Sequence, residues 1–193
     1  MPTLQELKEQ AFIKKINCLG FSYLFEKRSA RYSRLINLLK VFGIIVPASI
    51  GAVALSYGYS TLKPFITIAI PITIVQFIFS VLAIVFKWDD ELSYSFEAYQ
   101  AHVSLYTKYV SLIANVNSNS TVDFNLLEVE YIQRTNQDSK HSITEWELRR
   151  CMRYSLRQHQ KECTGCRQVP NSMESTNCDV CGKFSFKYNK VIL

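Results

Sequence analysis

Four of the six cysteines lie close together as Cys163-Thr-Gly-Cys166 and Cys178-Asp-Val-Cys181, with eleven residues between the pairs. A thiolate at each end of a four-residue turn grips one side of an ion, and two such turns complete a tetrahedron. The spacing therefore predicts one metal ion held by Cys163, Cys166, Cys178 and Cys181, and zinc is the expected metal. An iron–sulfur cluster or a redox pair is the alternative chemistry for the same thiols. Gly182 follows the second pair and permits a tight turn in which backbone N–H groups face the sulfurs. Beyond it Phe184, Phe186 and Tyr188 alternate with Lys183 and Lys187, a period of two that predicts a short strand packed on the metal module. The plainest role of such a metal is to staple a tail too small for a core of its own. Cys18 and Cys151 stand apart in sequence and are not expected to be ligands.

A second constellation sits just upstream. Thr144 and Glu147, or Ser142 and Glu145, form a Thr/Ser-x-x-Glu capping pattern that starts a helix running to about Lys161. At 100° per residue, Trp146, Arg150, Arg153, Arg157 and Lys161 share one side of that helix. Leu148, Met152, Ser155, Leu156 and His159 share the other. Guanidinium groups grip phosphates and an indole stacks on a base, so the basic side is read as a site for a nucleotide or short oligonucleotide. A solvated face or a contact with anionic lipid headgroups is the competing reading. Large nucleic acids are not expected. Residues 161–190 carry five Lys/Arg and three Asp/Glu, and a tetrathiolate zinc adds about −2.

Catalytic chemistry finds no footing. His102, His141 and His159 belong to no nucleophile–base arrangement, and no glycine-rich phosphate loop occurs, so the chain is read as a non-enzyme.

The elements that must position these residues are organised around the stretch Val41–Phe86. No charge falls between Lys40 and Lys63, nor between Lys63 and Lys87. Each gap of 22 or 23 residues reaches roughly 33 Å as a helix, enough to cross a bilayer core. Backbone groups in lipid must be bonded within their own segment, so the expectation is a two-helix transmembrane hairpin. Small residues Gly43, Pro47, Gly51, Ala54 and Gly58 form one seam on the first span. Ala69, Thr73, Gln76, Ser80 and Ala83 form another on the second. Gln76 is the costliest side chain there and must face protein or water. Thr73, Gln76 and Ser80 are accordingly read as pore-lining. Asp89, Asp90 and Glu91 are read as the cytoplasmic mouth, or else as acids at the start of the next helix.

The net charge of +6 is uneven. Residues 1–40 hold eight Lys/Arg against three Asp/Glu, while residues 87–193 sum to zero. Basicity just before the first span points to an N-terminus in the cytoplasm, and two spans return the C-terminus there. Tyr57, Tyr59 and the turn up to Lys63 then face out, and Trp88 suits the inner interface. No secretory signal is expected, because the first apolar run begins only near residue 41.

Thr3 and Glu6 cap a first helix near Leu4, with Leu7 and Ala11 on one face and a break allowed at Gly20. After Lys87 a heptad of Leu92, Phe96, Tyr99, Val103, Tyr106, Val110 and Ile113 predicts a long helix that needs a partner. A short helix from Asp123 to about Arg134 presents Phe124, Leu127 and Tyr131, between polar linkers near 115–121 and 135–142. The expected organisation is thus all-α. It comprises an N-terminal basic helix (1–40), a transmembrane hairpin (41–86), cytoplasmic helices (87–161) and a small C-terminal four-cysteine zinc module (162–193).

The string Cys163, Cys166, Cys178, Cys181 at the end of a two-span chain of this size resembles the mobilome CxxCx(11)CxxC proteins of bacterial mobile elements. Residues 1–160 also resemble the SLATT class of two-transmembrane antiphage effectors, through their order of helix, hairpin and long helix. That second resemblance implies an inner-membrane effector that opens the bilayer when an upstream sensor fires. One hairpin cannot enclose water, so a homo-oligomeric pore, a tetramer for choice, is the expected form. A non-conducting membrane anchor that presents the zinc module to a partner is the alternative.

Overall fold

The computed structural model describes residues 3–57, 62–115 and 120–185, in five helices: α1 (Leu4–Tyr57), α2 (Leu62–Val85), α3 (Trp88–Ala114), α4 (Ser120–Asp138) and α5 (Glu145–Gln158). No strand occurs among the described residues. The turn at Tyr59, the linker residues 116–119 and the Phe186–Tyr188 part of the expected strand lie outside them. Phe184 and Ser185 are irregular rather than extended. The chain divides into two compact units, Arg28–Ser95 and Met1–Lys27 with Phe96–Leu193.

α1 starts where the capping box places it: the Thr3 N–H donates to Glu6 Oε2 at 2.7 Å, and the Glu6 N–H donates to Thr3 Oγ1 at 3.3 Å. It then runs through Gly20, through residue 40 and through Pro47 without a break. The expected boundary at 40 therefore divides no secondary structure. No proline precedes residue 47 in the helix, and the cost of glycine at position 20, about 1 kcal/mol, is offset by the contact it permits.

In the 28–95 unit, α2 and the second half of α1 are both long and apolar enough to cross a membrane, and the most apolar window of α2 contains no buried residue. The half-buried positions of α2 include Ala69, Gln76, Ser80 and Ala83, which is the expected seam apart from Thr73. On α1 the half-buried positions are Gly43, Val46, Ile50 and Val53, while Pro47 and Gly51 are exposed. Among the described positions the small-residue seam is thus used at Gly43, where a side chain would come within 3.1 Å of Gln76 Nε2, whereas Gly51 meets nothing within 4 Å. The Ala54 side chain and Gly58 lie outside the described residues.

The other unit packs the first part of α1 against α3, α4 and α5. Leu7, Ala11 and Cys18 of α1 form a core with Leu105, Tyr109 and Leu112 of α3 and Phe124 and Tyr131 of α4. The heptad expectation for α3 is rotated by one position. Ser95, Ala98, His102, Leu105, Tyr109 and Leu112 are buried, whereas Phe96, Val103 and Val110 are 54%, 38% and 39% exposed. A polar pattern outweighs the apolar one here because His102 is held by a buried charge. His102 Nε2 lies 2.7 Å from Asp138 Oδ2, and Arg134 Nε donates to Asp138 Oδ1 at 3.0 Å. Phe21 and Phe25 stack on the imidazole with centroids at 5.1 and 5.8 Å. Asp138 is therefore the end of α4 and not part of a linker, and α4 extends from Ser120, beyond the expected Asp123–Arg134.

Because Asp138 is 2% exposed and balances both Arg134 and His102, Asp138→Ala should destabilise the protein by about 3–5 kcal/mol. Glu97, whose bond to Arg134 sits at a surface with the carboxylate 69% exposed, should cost at most about 1 kcal/mol as Glu97→Gln. Denaturant unfolding of the detergent-solubilised protein followed by circular dichroism measures both.

Candidate metal centre

The four clustered cysteines come together after α5. All four Sγ atoms lie within 4.8 Å of one another, with Cys163–Cys178 and Cys166–Cys181 each at 3.8 Å. A tetrahedron with metal–sulfur bonds of about 2.3 Å has edges of about 3.8 Å, so the thiols are spaced for one zinc-sized ion. The six cysteines are free thiols. Cys18 and Cys151 are buried elsewhere, and burial pushes the Cys18 thiol up to about 12, the state of an inert core residue.

Each pair of ligands is shaped by short backbone bonds. Cys163 N–H donates to Gln168 O at 3.0 Å and Arg167 N–H to Cys163 O at 2.7 Å, with Arg167 in the left-handed region at φ 53°. In the second turn Val180 N–H donates to Cys178 Sγ at 3.4 Å, and Gly182 N–H donates to the Cys178 carbonyl at 2.9 Å. Backbone N–H groups thus face the Cys178 sulfur as the sequence leads one to expect, and the glycine meets a steric condition as well. A Cβ there would sit 2.4 Å from the Thr176 carbonyl, so close approach of two chain segments is what excludes a side chain.

The thiols do not titrate alike. Burial raises Cys178, yet the backbone N–H groups of Cys181 and Val180 and the thiols of Cys181 and Cys163 outweigh it and bring the pKa down to about 7. Cys181 is pushed up, first by burial and then by Cys163 and the other thiols. Closely spaced acids release protons in steps that belong to the group as a whole.

Arg153 completes the centre, and this corrects its expected place on an exposed stripe. It is 6% exposed, its Nε donates to the Ser172 carbonyl at 2.7 Å, and its Nη1 lies 3.5 Å from Thr176 Oγ1 and 3.8 Å from Cys181 Sγ. No carboxylate pairs with it among the described residues. A buried guanidinium needs a counter-charge. Neutral thiols and disulfides supply none, but four thiolates around a divalent ion carry −2. The buried cation is thus an independent sign that these sulfurs work as metal ligands. Leu156 and Met152 pack against Cys163 and Cys181 from the same helix.

α5 is seated on α1. Its capping box forms at Thr144, whose N–H donates to Glu147 Oε2 at 3.0 Å, and it crosses α1 at Gly20. A Cβ on Gly20 would meet Ser155 Oγ at 2.9 Å and the Cys151 carbonyl at 3.3 Å. The rest of the expected stripe is split by this packing. Arg150 lies over the Tyr23 ring at 5.9 Å, Lys161 over the Phe12 ring at 4.9 Å, and Trp146 and Arg157 are half-buried. Nothing in the three-four spacing of Arg150, Arg153 and Arg157 marks the middle one as internal, so sequence reasoning had no signal for it.

Among the residues expected to line a pore, Gln76 faces Gly43 within the hairpin, and its Oε1 is buried without a partner. The Thr73 hydroxyl donates to the Ala69 and Ile70 carbonyls at 2.7 and 2.9 Å, and Ser80 donates to the Gln76 carbonyl at 2.9 Å. Asp89, Asp90 and Glu91 occupy the first turn of α3, where negative charge complements the helix dipole.

The family model of the mobilome CxxCx(11)CxxC proteins matches residues 8–184. The chain belongs to that family. The match begins in α1 and ends just after the second cysteine pair, so the helical core and the metal module together constitute the family unit. No curated protein and no solved structure matches the chain. In this mobilome CxxCx(11)CxxC protein the eleven-residue spacer is the loop that brings the Ser172 carbonyl and Thr176 to Arg153.

Cys178→Ser should lower bound metal below one ion per chain in elemental analysis. Arg153→Gln should weaken metal binding by about 10–100-fold, the usual scale for a group that supports a ligand, read by competition with a chromophoric chelator. Gly182→Ala should fail to load metal, because the added methyl displaces the loop segment at Thr176.

Proposed function

We propose that the protein is a zinc-bearing membrane anchor of a bacterial mobile element, which holds its four-cysteine module at the cytoplasmic face of the inner membrane for a partner to bind. Two spans within residues 41–86 cross the bilayer, the basic segment before them keeps the N-terminus inside, and the C-terminus returns to the same side. The observation that carries this reading is that the Gln76 amide lies against Gly43 inside the hairpin rather than on its outside. With the Thr73 and Ser80 hydroxyls bonded to their own helix, the hairpin keeps its polar seam to itself and offers lipid an apolar exterior. The zinc module then serves as the displayed part, stiffened by metal and tied to the helical core through Arg153.

A second reading, an oligomeric ion-conducting antiphage pore, draws on a different observation. α3 leaves Phe96, Val103 and Val110 exposed, and α4 leaves Val122, Leu126, Val129 and Ile132 exposed. Apolar stripes at helical spacing are surfaces through which copies of a chain associate. In a tetramer built that way Thr73, Gln76 and Ser80 would turn to a lumen and Asp89, Asp90 and Glu91 would ring its mouth. Such an assembly requires Gln76 to leave Gly43.

Purified protein in planar bilayers separates the two. The anchor reading expects no current, and Gln76→Leu should keep the hairpin folded. The pore reading expects cation current that falls when residues 89–91 are neutralised. For the association surface, Val103→Lys with Leu126→Lys should leave helix content unchanged and reduce any cross-linked oligomer to monomer.

A further inference from the structure

Three groups able to carry positive charge converge on one aromatic ring where α1, α3 and the end of α5 meet. Lys15 Nζ lies 4.4 Å and Lys161 Nζ 4.9 Å from the Phe12 centroid. His159 meets the same ring edge-on at 5.7 Å and tilts against Tyr106 at 6.0 Å. Its Nε2 is buried without a hydrogen-bond partner. The two ammonium groups are therefore no more than about 9 Å apart, a separation at which like charges repel each other unless an anion intervenes.

Among the described residues no carboxylate relieves them: neither lysine forms an ion pair, although nearby Lys14 pairs with Glu128 at 2.7 Å and Lys108 with Glu130 at 2.7 Å. Lys15 is held below its ordinary value, first by burial and then by the charge of Lys161. His159 is lowered by burial and then by Lys15. Lys161 is exposed and Lys15 half-buried, so the gap between the two ammonium groups is open to an anion from outside.

The same edge of the helix pair continues with an aromatic pair and a further cation: Tyr23 stacks on Tyr154 at 4.1 Å, with Arg150 5.9 Å from the Tyr23 centroid; Lys27, 5.2 Å from the same ring, is paired with Glu26 at 3.3 Å. Tyr23 lies eleven residues beyond Phe12, about 16 Å along the helix. Arg157 lies on α5 between Arg150 and the Lys161 that follows the helix, and forms no ion pair among the described residues.

We infer that Lys15, Lys161 and His159, gathered on Phe12, form a binding site for a phosphate-bearing anion, with the Tyr23–Arg150 end receiving the remainder of an extended ligand. Two charge-assisted bonds of about 2.8 Å, one on each side of a phosphate group, bridge a gap of the size between the two lysines. The site differs from the stripe read in the sequence: it excludes Arg153, which belongs to the metal, and gains Lys15, which lies on another helix. It does not depend on whether the hairpin conducts. The phosphate can come from a soluble ester or from a lipid headgroup, and the test separates them.

The full-length, metal-loaded protein in a zwitterionic detergent is titrated with inorganic pyrophosphate by calorimetry at low and moderate salt. In parallel, native mass spectrometry counts phosphatidylglycerol retained after exchange from that lipid, with phosphatidylcholine as reference. A soluble ligand predicts pyrophosphate binding that weakens with salt and falls at least tenfold in both Lys15→Gln and Lys161→Gln, but not in Lys140→Gln, an exposed lysine of the loop before α5. A headgroup ligand predicts no pyrophosphate binding and preferential retention of phosphatidylglycerol that both variants lose. Removal of the repulsion predicts that Lys161→Gln melts at a higher temperature than wild type without ligand, and that pyrophosphate or phosphatidylglycerol raises the wild-type melting temperature more than that of the variant. The inference is overturned if neither probe binds, if Lys140→Gln weakens binding as much as the site variants, or if Lys161→Gln melts lower than wild type without ligand.

Discussion

Arg153 is a cation buried between a helix and a tail, and among the described residues the one group bonded to it that can carry charge is the Cys181 sulfur. That constraint organises the C-terminal third of the molecule. A guanidinium cannot be taken from water at tolerable cost unless it is bonded and balanced. Its Nε finds the Ser172 carbonyl, and its Nη1 finds Thr176 and Cys181. A metal ion held by the four clustered cysteines would leave them as thiolates and supply the balance, which would couple metal loading to the seating of α5. The tail has too few apolar residues for a core, and it borrows Leu156 and Met152 from α5 to cover its sulfurs.

From α5 the constraint passes to α1 through a steric condition. Gly20 lets the Cys151 carbonyl and Ser155 approach closely, where an added methyl would need the Ser155 hydroxyl to turn away and the α5 backbone to give by a few tenths of an ångström. The glycine that seemed to invite a helix break instead sits inside an unbroken helix and serves as a docking notch. Farther along the same unit a second buried charge group, His102 with Asp138 and Arg134, sets the rotation of α3. Both cases follow the same rule: a buried polar group has few acceptable orientations, whereas an apolar side chain has many, so the polar group decides the register.

The metal centre was largely legible in the sequence, because a CxxC pair is a local object: its two thiols are brought near each other by a single turn. The eleven-residue separation restricts the second pair to the same ion, and the match to the mobilome family over residues 8–184 carries the same string. The apolar segments were legible for a similar reason, since the absence of charge over twenty-odd residues is a property of composition and needs no partner. The capping boxes at Thr3–Glu6 and Thr144–Glu147 likewise join residues three apart.

Pairings distant in the chain were not legible. Local pattern suffices for the helices, the two apolar stretches and the four cysteines that cluster, all of which rest on interactions within about one to six turns of chain. Three-dimensional packing is needed to turn Arg153 inward to a sulfur 28 residues away, to bring His102 to an acid 36 residues on, and to set Lys15 and Lys161 on one ring. It also decided that α3 buries Leu105 and Tyr109 while Val103 and Val110 stay outside. Periodicity names the faces of a helix but not which face meets a neighbour, and that choice falls to the buried charges, whose partners are set by the whole chain.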